Sequence, residues 1–360
     1  MLGPTAVRWD ITLNCELNCR HCSMGRLTNH RSEHPSDDTV LAVARRLRRD
    51  VVYQVGLLGG EPLSHPAISS VLRLFIEQGT FVTINTNGLL IDAPLLDLVR
   101  GNFGWSIMVS LDGSDEESHD HIRGRGRFRQ TIEKIRMALE LRRDEWPYIG
   151  IQCTFNNRTI NSMSEIIRLA ESLGLDILQL RLVGEAGNAA RHYEELKVNH
   201  YDAFNALVEY FESRNSKTQG LSININFLSN LVKVAIQKQL GLKLPLTVEG
   251  CTAATTTAFV DCNGRLWPCQ TLAYATDSRL QDYFELQDNS LLTHSFEEIW
   301  NSRGFHRLRE LNARRLHAEI ARPCSNCQFN NVCTPCPLPY LIGQSLDQPQ
   351  CEWSMALLEV

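Results

Sequence analysis

The chain has 360 residues, 43% of them hydrophobic, which is enough sequence for one large domain or for a domain with an appendage. Its net charge of -5 argues against broad binding to nucleic acids. No apolar run is long enough to cross a membrane and the first residues do not resemble a secretion signal, so we expect a cytoplasmic protein without nucleic-acid or membrane partners.

Short runs of β-forming residues alternate with amphipathic helical patterns in the first half of the chain. The predicted strands are Val7 to Leu13, Gln54 to Leu58, Phe81 to Thr86, Trp105 to Leu111, Ile149 to Phe155 and Ile177 to Leu182. The predicted helices are Asp37 to Arg49, Ala67 to Gln78, Pro94 to Arg100, Gln130 to Leu141 and Met163 to Leu173. This alternation predicts right-handed βαβ units and a parallel sheet, with the functional site at the carboxyl ends of the strands.

Three cysteines, Cys15, Cys19 and Cys22, follow the first predicted strand in the spacing CxxxCxxC. Thiolates spaced in this way on one tight loop can reach neighbouring corners of a 4Fe-4S cluster, for which cysteine sulfur is the usual ligand. Three ligands for four irons leave one iron open to chelate another molecule. A zinc ion that takes His21 or His30 as its fourth ligand is the alternative interpretation. Because the chain is expected to be cytosolic, its 12 cysteines are more consistent with metal binding than with disulfides.

A Gly-Gly-Glu-Pro sequence follows the second predicted strand, at Gly59, Gly60, Glu61 and Pro62. Glycines let the backbone approach a ligand closely, and proline then fixes the turn. Taken alone, the sequence is more typical of an ordinary turn than of a ligand-binding loop.

Short polar side chains also end the third and fourth predicted strands. They are Asn85, Thr86, Ser110 and Asp112. Taken separately, each pair is also explained by turn chemistry.

The stretch from Ser118 to Arg127 combines arginines with glycines. Neighbouring acidic residues and a single aromatic residue, Phe128, make it a poor platform for stacking RNA bases. Arg123 is able to pair with a carboxylate of a cofactor or substrate, or it closes a surface loop. Cys153 lies among apolar residues in the fifth predicted strand, where a buried structural thiol is favoured over a hydrogen donor.

Together, the CxxxCxxC and Gly-Gly-Glu-Pro motifs resemble the signature of the radical SAM superfamily. The resemblance implies a partial (β/α)6 TIM-like barrel whose open iron holds the amino and carboxylate groups of S-adenosylmethionine. It also implies that the Gly-Gly-Glu-Pro backbone binds the amino group and that the polar strand ends lie near the ribose and carboxylate. The sequence from His119 to Gly124 resembles the HDxxRG loop of those members that carry a cysteine-rich C-terminal extension.

The last part of the chain is rich in cysteine. Its cysteines are Cys251, Cys262, Cys269, Cys324, Cys327, Cys333, Cys336 and Cys351. Asn263 and Gly264, inside a β-like run, predict a hairpin turn. The pattern resembles the SPASM extension, which holds two auxiliary 4Fe-4S clusters, except that two residues rather than three separate Cys333 from Cys336.

The resemblance implies a ligand set for each auxiliary cluster. The outer cluster would be held by Cys324, Cys327, Cys333 and Cys351, and the inner one by Cys251, Cys269 and Cys336. The fourth inner ligand is either Cys262 or absent, which would leave an open iron. A zinc interpretation of the two CxxC pairs fits their spacing but leaves Cys251, Cys269 and Cys351 unexplained.

We therefore expect three 4Fe-4S clusters in an α/β protein with three parts. These are a radical SAM partial barrel over residues 1–190, a bridge over residues 191–250 and a SPASM domain over residues 251–360. Within the bridge, Tyr201 to Phe211 and Leu228 to Leu240 are predicted helices and Leu221 to Phe227 a predicted strand.

The resemblance implies an enzyme that reductively cleaves S-adenosylmethionine to a 5'-deoxyadenosyl radical, which removes a hydrogen atom from the substrate. We expect oxidative modification of a ribosomally made peptide, by cross-linking or dehydrogenation. The alternative is a dehydrogenase or epimerase acting on a small molecule such as a sugar or aminocyclitol. Gln270 follows Cys269, where sulfatase maturases place an aspartate, so that activity is disfavoured. An electron-transfer protein with three clusters is an interpretation from another class, which the Gly-Gly-Glu-Pro motif disfavours.

An external electron donor is the expected protein partner, and a leader-binding protein is one of two alternatives for peptide recognition. Reduction of the cluster requires an external one-electron donor, of the flavodoxin or ferredoxin kind. Only 14 residues precede Cys15, so recognition of a leader peptide would need a separate binding protein or the bridge region.

Overall fold

The structure is a computed structural model, and it describes residues 3–25, 34–142, 145–213, 220–246, 251–275, 278–286 and 288–316, together with Cys336 and Leu338. Four predicted metal ligands, Cys324, Cys327, Cys333 and Cys351, lie outside the described residues, as does His30. The chain divides into two units. The first comprises Ala6–Phe227 together with Cys262–Gly264, and the second comprises the described residues of Met1–Thr5, Leu228–Asp261 and Arg265–Val360. The division predicted from sequence, at residues 190 and 250, stays a prediction.

The first unit is built on a parallel sheet of seven strands. In chain order they are β1 (Ala6–Thr12), β2 (Gln54–Gly59), β3 (Phe81–Thr86), β4 (Ser106–Ser110), β5 (Tyr148–Phe155), β6 (Ile177–Leu182) and β7 (Ser222–Ile225). Each strand pairs in parallel with the next one along the chain. The predicted parallel α/β architecture is confirmed, and all the carboxyl ends of the strands lie at one edge.

Eight helices of the described residues belong to the first unit. They are α1 (Asp37–Arg46), α2 (Ile68–Gln78), α3 (Ala93–Val99), α4 (Glu116–Arg123), α5 (Arg127–Leu141), α6 (Met163–Leu173), α7 (Tyr193–Leu196) and α8 (His200–Ser213). Three 3-10 turns add to them, at Pro62–Ser64, Ile160–Ser162 and Ala189–Arg191.

Local sequence explains where these helices begin and which side they bury. The side chains of Asp92 and Asp115 accept hydrogen bonds from the first turns of α3 and α4, which satisfies backbone donors that have no partner inside the helix. Helix α2 buries Ile68, Val71, Leu72 and Phe75, the spacing of one apolar stripe. Gly79 then ends α2 in the left-handed conformation that glycine adopts without strain.

Helix α4 is the main departure from the sequence prediction, which expected a loop at the HDxxRG stretch. The helix has little apolar periodicity because Ile122 and His119 are the residues that it buries. A buried histidine takes the place of an apolar residue, so hydrophobic spacing gives little sign of the helix.

The described part of the second unit contains one hairpin and five helices. Its elements are α9 (Asn230–Leu240), β8 (Thr257–Val260), β9 (Leu266–Trp267), α10 (Gln270–Ala273), α11 (Ser278–Tyr283), α12 (Phe296–Trp300) and α13 (Arg303–Leu316). Strands β8 and β9 pair antiparallel around Gly264, whose φ is 75°, so the predicted hairpin turn is present.

The core of the second unit is formed largely by aromatic side chains, and its large fully buried members include Phe259, Phe284, Phe296, Trp300 and Phe305. Trp300 packs against Phe305 with ring centroids 5.4 Å apart. Among the described residues of the whole chain, no helix combines the length and the hydropathy needed to cross a membrane.

Candidate active site

The loop after β1 carries Cys15, Cys19 and Cys22 at the carboxyl edge of the sheet. Cys19 is buried, and Cys15 and Cys22 are half-buried. Burial raises the pKa of the Cys15 thiol to about 12 and that of Cys19 to about 11. Smaller increases come from the negative charge of Cys19 acting on Cys15 and of Cys22 acting on Cys19, so the three sulfurs lie near one another.

This donor set suits an iron-sulfur cluster. Buried thiols keep their protons unless a positive charge binds the thiolate, and cluster irons supply that charge. In the part of the chain that the structure describes, no three histidine, cysteine or acidic side chains meet closely enough to share one ion. The ligands of a 4Fe-4S cluster bind different irons, so they surround a space instead of meeting at a point.

The Gly-Gly-Glu-Pro loop lies directly against the cysteine loop. Gly60 N donates to Thr12 O and Glu61 N donates to Asn14 O, both at 2.7 Å. A β-carbon on Gly59 would collide with Thr12 O, and one on Gly60 would collide with Asn14 O. The two loops therefore meet backbone to backbone, and only glycine leaves room for the contact.

Glu61 is fully buried and binds the loop that follows β3. Its carboxylate accepts hydrogen bonds from Thr86 Oγ1 at 2.7 Å, from Asn87 N at 2.8 Å and from Leu63 N at 3.0 Å. Burial raises its pKa to about 7, and these donors act in the opposite direction. Asn87 Nδ2 donates in turn to Glu16 Oε1 at 3.0 Å, on the cysteine loop. Glu61 thus fixes two loops relative to the cysteines.

Asp112 is fully buried beyond the end of β4, and both of its carboxylate oxygens contact other parts of the protein. Oδ1 accepts a hydrogen bond from Thr154 N at 2.9 Å. Oδ2 lies 2.5 Å from Arg123 Nε and 2.8 Å from His21 Nε2. Burial alone would raise the pKa of Asp112, but Arg123 and His21 outweigh it and hold that pKa well below its usual range.

Arg123 connects this carboxylate to the cysteine loop. Burial opposes its charge, but Asp112 and the thiols of Cys19 and Cys22 keep its pKa above the usual value. Its Nη1 lies 3.9 Å from Cys19 Sγ. The end of α4 is also bonded to the loop through the backbone, because Arg20 N donates to Ile122 O at 3.0 Å.

The other residues of the HDxxRG motif shape the same region. Asp112 N donates to His119 Nδ1 at 3.2 Å, and burial lowers the pKa of His119 to about 4, so the ring is neutral. Asp120 accepts hydrogen bonds from Gly126 N and from Phe128 N, the latter at 2.8 Å, which turns the chain from α4 into α5. Gly124 ends α4 with a φ of 108°.

The Gly-rich segment after β6 packs on the far side of the cysteine loop. Asn188 N donates to Cys22 O at 2.8 Å, and Asn188 Nδ2 donates to Asn18 Oδ1 at 2.7 Å. A β-carbon on Gly187 would collide with the carbonyl groups of Cys22 and Ser23. Segments from four strand ends therefore hold the cysteine loop in place.

A cleft of about 360 Å³ lies between the cysteine loop and α4. Residues of both elements line it, among them Glu16, Arg20, Asp120, His121 and Arg123. Cys153, by contrast, is fully buried in β5, and burial raises the pKa of its thiol well above the usual value. This agrees with a structural thiol.

Three of the C-terminal cysteines lie together in the second unit. Burial raises the pKa of Cys269 to about 11, and the nearby charges of Cys251 and Cys336 raise it further. Asn312 of α13 donates to Cys251 O at 3.3 Å and to Ala253 O at 3.2 Å, which fixes the Cys251 loop. Cys262 lies at the turn between β8 and β9, and none of the described cysteines forms a disulfide.

The predicted site residues of the first unit lie in one region. Glu61, Thr86 and Asp112 use their side chains within the protein, whereas Ser110 is half-buried at the end of β4. Asn85 Nδ2 donates to Leu57 O at 3.3 Å. The sequence predicts no role for His119, and His21 is predicted only as an alternative zinc ligand. Their sole signal was position, His21 next to Cys22 and His119 in the HDxxRG motif.

Two sequence profiles match the chain. The profile of the Radical SAM superfamily matches residues 9–171, and that of the SPASM iron-sulfur cluster-binding domain matches residues 251–328. The AdoMet-dependent heme synthase of Methanosarcina barkeri is 25% identical over 352 residues, which cover 93% of this chain and 91% of the relative. The mycofactocin maturase MftC of Mycobacterium tuberculosis is 23% identical over 356 residues, covering 97% and 83%.

A solved structure supports the fold. SuiB of Streptococcus suis bound to S-adenosylmethionine superposes with a TM-score of 0.73 at 16% identity, over 96% of this chain and 75% of that one. Another structure of SuiB, bound to the precursor peptide SuiA, gives a TM-score of 0.72. At this identity the likeness concerns the fold, and it supports a TIM-like partial barrel followed by a SPASM domain.

Proposed function

Because the chain belongs to the radical SAM superfamily and carries a C-terminal SPASM domain, we propose that it performs an oxidative radical modification of a peptide. Membership implies S-adenosylmethionine and a 4Fe-4S cluster, which together supply a 5'-deoxyadenosyl radical able to remove hydrogen from carbon. The observation that carries the proposal is the backbone contact of Gly60 and Glu61 with the cysteine loop.

In this proposal, Cys15, Cys19 and Cys22 hold the cluster, and the Gly-Gly-Glu-Pro backbone binds the amino group of S-adenosylmethionine. Ser110 and Arg123 bind its carboxylate, and Asn85 lies near the ribose. The donors that surround Glu61, Thr86 and Asp112 favour a positioning role for these side chains.

The C-terminal cysteines hold the auxiliary clusters in this proposal. Cys251, Cys269 and Cys336 are inner-cluster ligands, which the proximity of their thiols supports. Cys262 is the proposed fourth ligand, and Cys324, Cys327, Cys333 and Cys351 are proposed for the outer cluster. If bound there, auxiliary clusters would supply an acceptor for the electron that the substrate radical loses when it is oxidised. An external flavodoxin-like or ferredoxin-like protein is the proposed electron donor to the first cluster.

Relatives support a peptide substrate. MftC is named a maturase and SuiB is seen bound to a precursor peptide, and both resemble this chain over more than nine-tenths of its length. A ribosomally made peptide is therefore the proposed substrate. A separate protein that binds the leader part of this peptide is a proposed partner.

A second candidate is oxidation of a small molecule. The relatives named AdoMet-dependent heme synthases favour it, since the one from Methanosarcina barkeri is 25% identical over 93% of this chain. Both candidates use the same first step and differ in the substrate that the barrel admits.

The first experiment compares anaerobically reconstituted wild type with a Cys15→Ala, Cys19→Ala, Cys22→Ala variant. Iron and sulfide are counted per chain, and release of 5'-deoxyadenosine is measured under dithionite. About twelve irons should fall to about eight, with 5'-deoxyadenosine lost. Cys153→Ala is the matched control, because Cys153 is a buried thiol outside both cysteine groups, and it should keep the iron and the activity.

The substrate is tested with short peptides encoded beside the gene and with small-molecule candidates. Mass spectrometry would show the loss of hydrogen atoms from a peptide that is dehydrogenated or cross-linked. A product from a small molecule alone would replace the peptide proposal with the second candidate. Wild type that releases no 5'-deoxyadenosine would contradict both.

A further inference from the structure

Two arginines, Arg8 of β1 and Arg181 of β6, lie on the face of the sheet that is turned away from the helices. Along β1, Val7, Trp9 and Ile11 are fully buried, while Arg8 between them is exposed. Side chains alternate between the two faces of a strand, so Arg8 lies opposite the apolar residues that pack in the core.

Contacts with neighbouring strands confirm which face Arg8 occupies. A β-carbon on Gly56 would lie 3.8 Å from Arg8 Cγ, so Arg8 extends over Gly56 of β2. Gln54 shares that face because it is two residues from Gly56. Gln54 Nε2 donates to Thr83 Oγ1 at 2.8 Å, and Thr83 Oγ1 lies 2.9 Å from Ser106 Oγ, which extends a polar strip to β4.

Arg181 lies on the same face at the other side of the sheet. A β-carbon on Gly150 would lie within 3 Å of both Met108 Sδ and Ile177 Cβ, so these residues of β4 and β6 share one face. Ser106 lies two residues from Met108 on β4, and Arg181 lies four residues from Ile177 on β6. Because side chains two or four residues apart lie on the same face of a strand, Arg181 and the polar strip lie on a common face.

Polar residues also neighbour Arg181. Gln179 lies two residues from Arg181 on β6 and therefore on the same face. It pairs in register with Gln152 of β5 and with Asn224 of β7. The inner face of β5, β6 and β7 therefore offers amide groups beside the guanidinium. Such neutral donors and acceptors fix the orientation of a bound molecule.

The charged groups on this face include Arg8, Arg181 and the buried carboxylate of Asp10, which lies two residues from Arg8 on β1. No described carboxylate forms an ion pair with Arg8 or Arg181. Arg181 as a residue is half-buried, but its Nε atom is shielded from solvent and finds no hydrogen-bond partner among the described residues. Burial, and after it the positive charge of Arg8, lower the pKa of Arg181, so the two guanidinium groups lie near enough to repel.

A folded protein rarely keeps a buried guanidinium donor unpaired, because its hydration is lost without replacement. A ligand that supplies hydrogen-bond acceptors to the two guanidinium groups would remove this cost. We propose that Arg8 and Arg181 bind an oxyanion of the substrate, a carboxylate or a phosphate, inside the barrel. A guanidinium matches either group with two parallel hydrogen bonds.

The assignment of the anion to the substrate rests on the proposed function. A peptide would offer an acidic side chain or its C-terminal carboxylate, and a small molecule would offer a carboxylate or phosphate. Anchoring the charged group would hold the reacting carbon in one place, which is the requirement for selective hydrogen removal.

The test measures anion binding by the reconstituted protein with glutarate and inorganic phosphate as probes, and with neutral glutaramide at equal ionic strength. Titration calorimetry compares wild type with an Arg8→Gln, Arg181→Gln variant. An Arg45→Gln, Arg73→Gln variant, at exposed positions of α1 and α2, is the control that loses the same two positive charges. We expect wild type and the control to bind an anion but not glutaramide, and the double variant to bind at least about tenfold more weakly. Equal binding by the double variant would overturn the proposal.

The two probes separate the chemical classes of ligand. Stronger binding of glutarate indicates a carboxylate, and stronger binding of phosphate indicates a phosphate ester.

The thermal stability of the Arg181→Gln variant separates ligand binding from a structural role. In buffer without multivalent anions, Arg181→Gln should unfold at the same temperature as wild type or a higher one, because it removes repulsion. A clear decrease in that temperature would show a structural role and contradict the proposal.

A measurement of 5'-deoxyadenosine release without substrate distinguishes failure of the anion site from failure of the proposed function. The double variant should release it as wild type does, because neither arginine belongs to the cysteine or Gly-Gly-Glu-Pro loops. If wild type releases none but binds the anion, the proposed function fails and the anion site stands. If release is normal and the anion does not bind, the anion site fails alone.

Discussion

Arg123 Nε lies 2.5 Å from Asp112 Oδ2, and the pair is almost completely buried beside the cysteine loop. Arg123 Nη1 lies 3.9 Å from Cys19 Sγ on its other side. A buried positive charge next to thiolates stabilises their anionic form. The ion pair therefore links the end of β4 to the predicted cluster ligands.

Replacing Asp112 by Asn should destabilise the protein strongly. The variant leaves Arg123 buried without its counter-charge, and breaking a buried pair in this way costs about 3–5 kcal/mol. Urea unfolding under anaerobic conditions measures the change. Glu116→Gln is the control, because it breaks the exposed pair between Glu116 of α4 and Arg129 of α5, and such pairs contribute about 1 kcal/mol or less. Equal losses in the two variants would contradict the assigned role of Asp112.

Gly60→Ala should impair cleavage of S-adenosylmethionine. The added methyl group collides with the Asn14 and Leu13 carbonyl groups, so the Gly-Gly-Glu-Pro loop must move away from the cysteines. A displacement of this size at a site that orients reactants costs about tenfold or more in rate. Release of 5'-deoxyadenosine is the measurement.

Gly174→Ala is the control for this substitution. A side chain there meets no atom within 4 Å, so it introduces only the strain of a left-handed residue, about 1 kcal/mol. We expect Gly174→Ala to keep its rate. A Gly60→Ala enzyme with normal activity would show that the contact between the loops is dispensable.

His119 should make stability depend on pH. Burial lowers its pKa from 6.5 to about 4, so folding favours the neutral ring. The stability that it contributes is present above pH 6.5 and is lost as pH falls from there toward 4. Lowering the pH from about 7.5 to about 5.5 should reduce the free energy of unfolding by about 1 kcal/mol through this residue.

His119→Asn should remove that part of the pH dependence, because its amide oxygen can still accept the Asp112 N–H but does not titrate. Thermal unfolding at several pH values measures it. His306→Asn replaces an exposed histidine, and its stability should depend on pH as that of wild type does. If His119→Asn also leaves this dependence unchanged, the neutral buried ring is not the cause.

Asn312→Ala should loosen the loop that carries Cys251. The variant loses two hydrogen bonds to backbone carbonyl groups, a cost of about 1–2 kcal/mol. We expect up to about four irons per chain to be lost while release of 5'-deoxyadenosine persists. Asn301→Ala, an exposed residue of the same unit, should retain all its iron. Loss of iron from both variants would argue against a specific role.

The sequence by itself determined the elements and the motifs. Strands β3 and β6 and helix α6 were predicted to the residue, because alternation of period two and apolar stripes of period 3.6 are local properties. The CxxxCxxC and Gly-Gly-Glu-Pro motifs likewise depend on residues a few positions apart. Together with the parallel sheet, they predict a functional site at the carboxyl ends of the strands.

The tertiary structure decided which side chains meet. Asn188 and Asn18 are 170 residues apart and share a hydrogen bond, and Asp112 joins His21, Arg123 and Thr154 from three other segments. Such contacts depend on strand register and on how the sheet curves, which local patterns do not encode. Local patterns likewise do not show that Arg8 of β1 and Arg181 of β6 share one face, because that follows from the pairing of the strands between them.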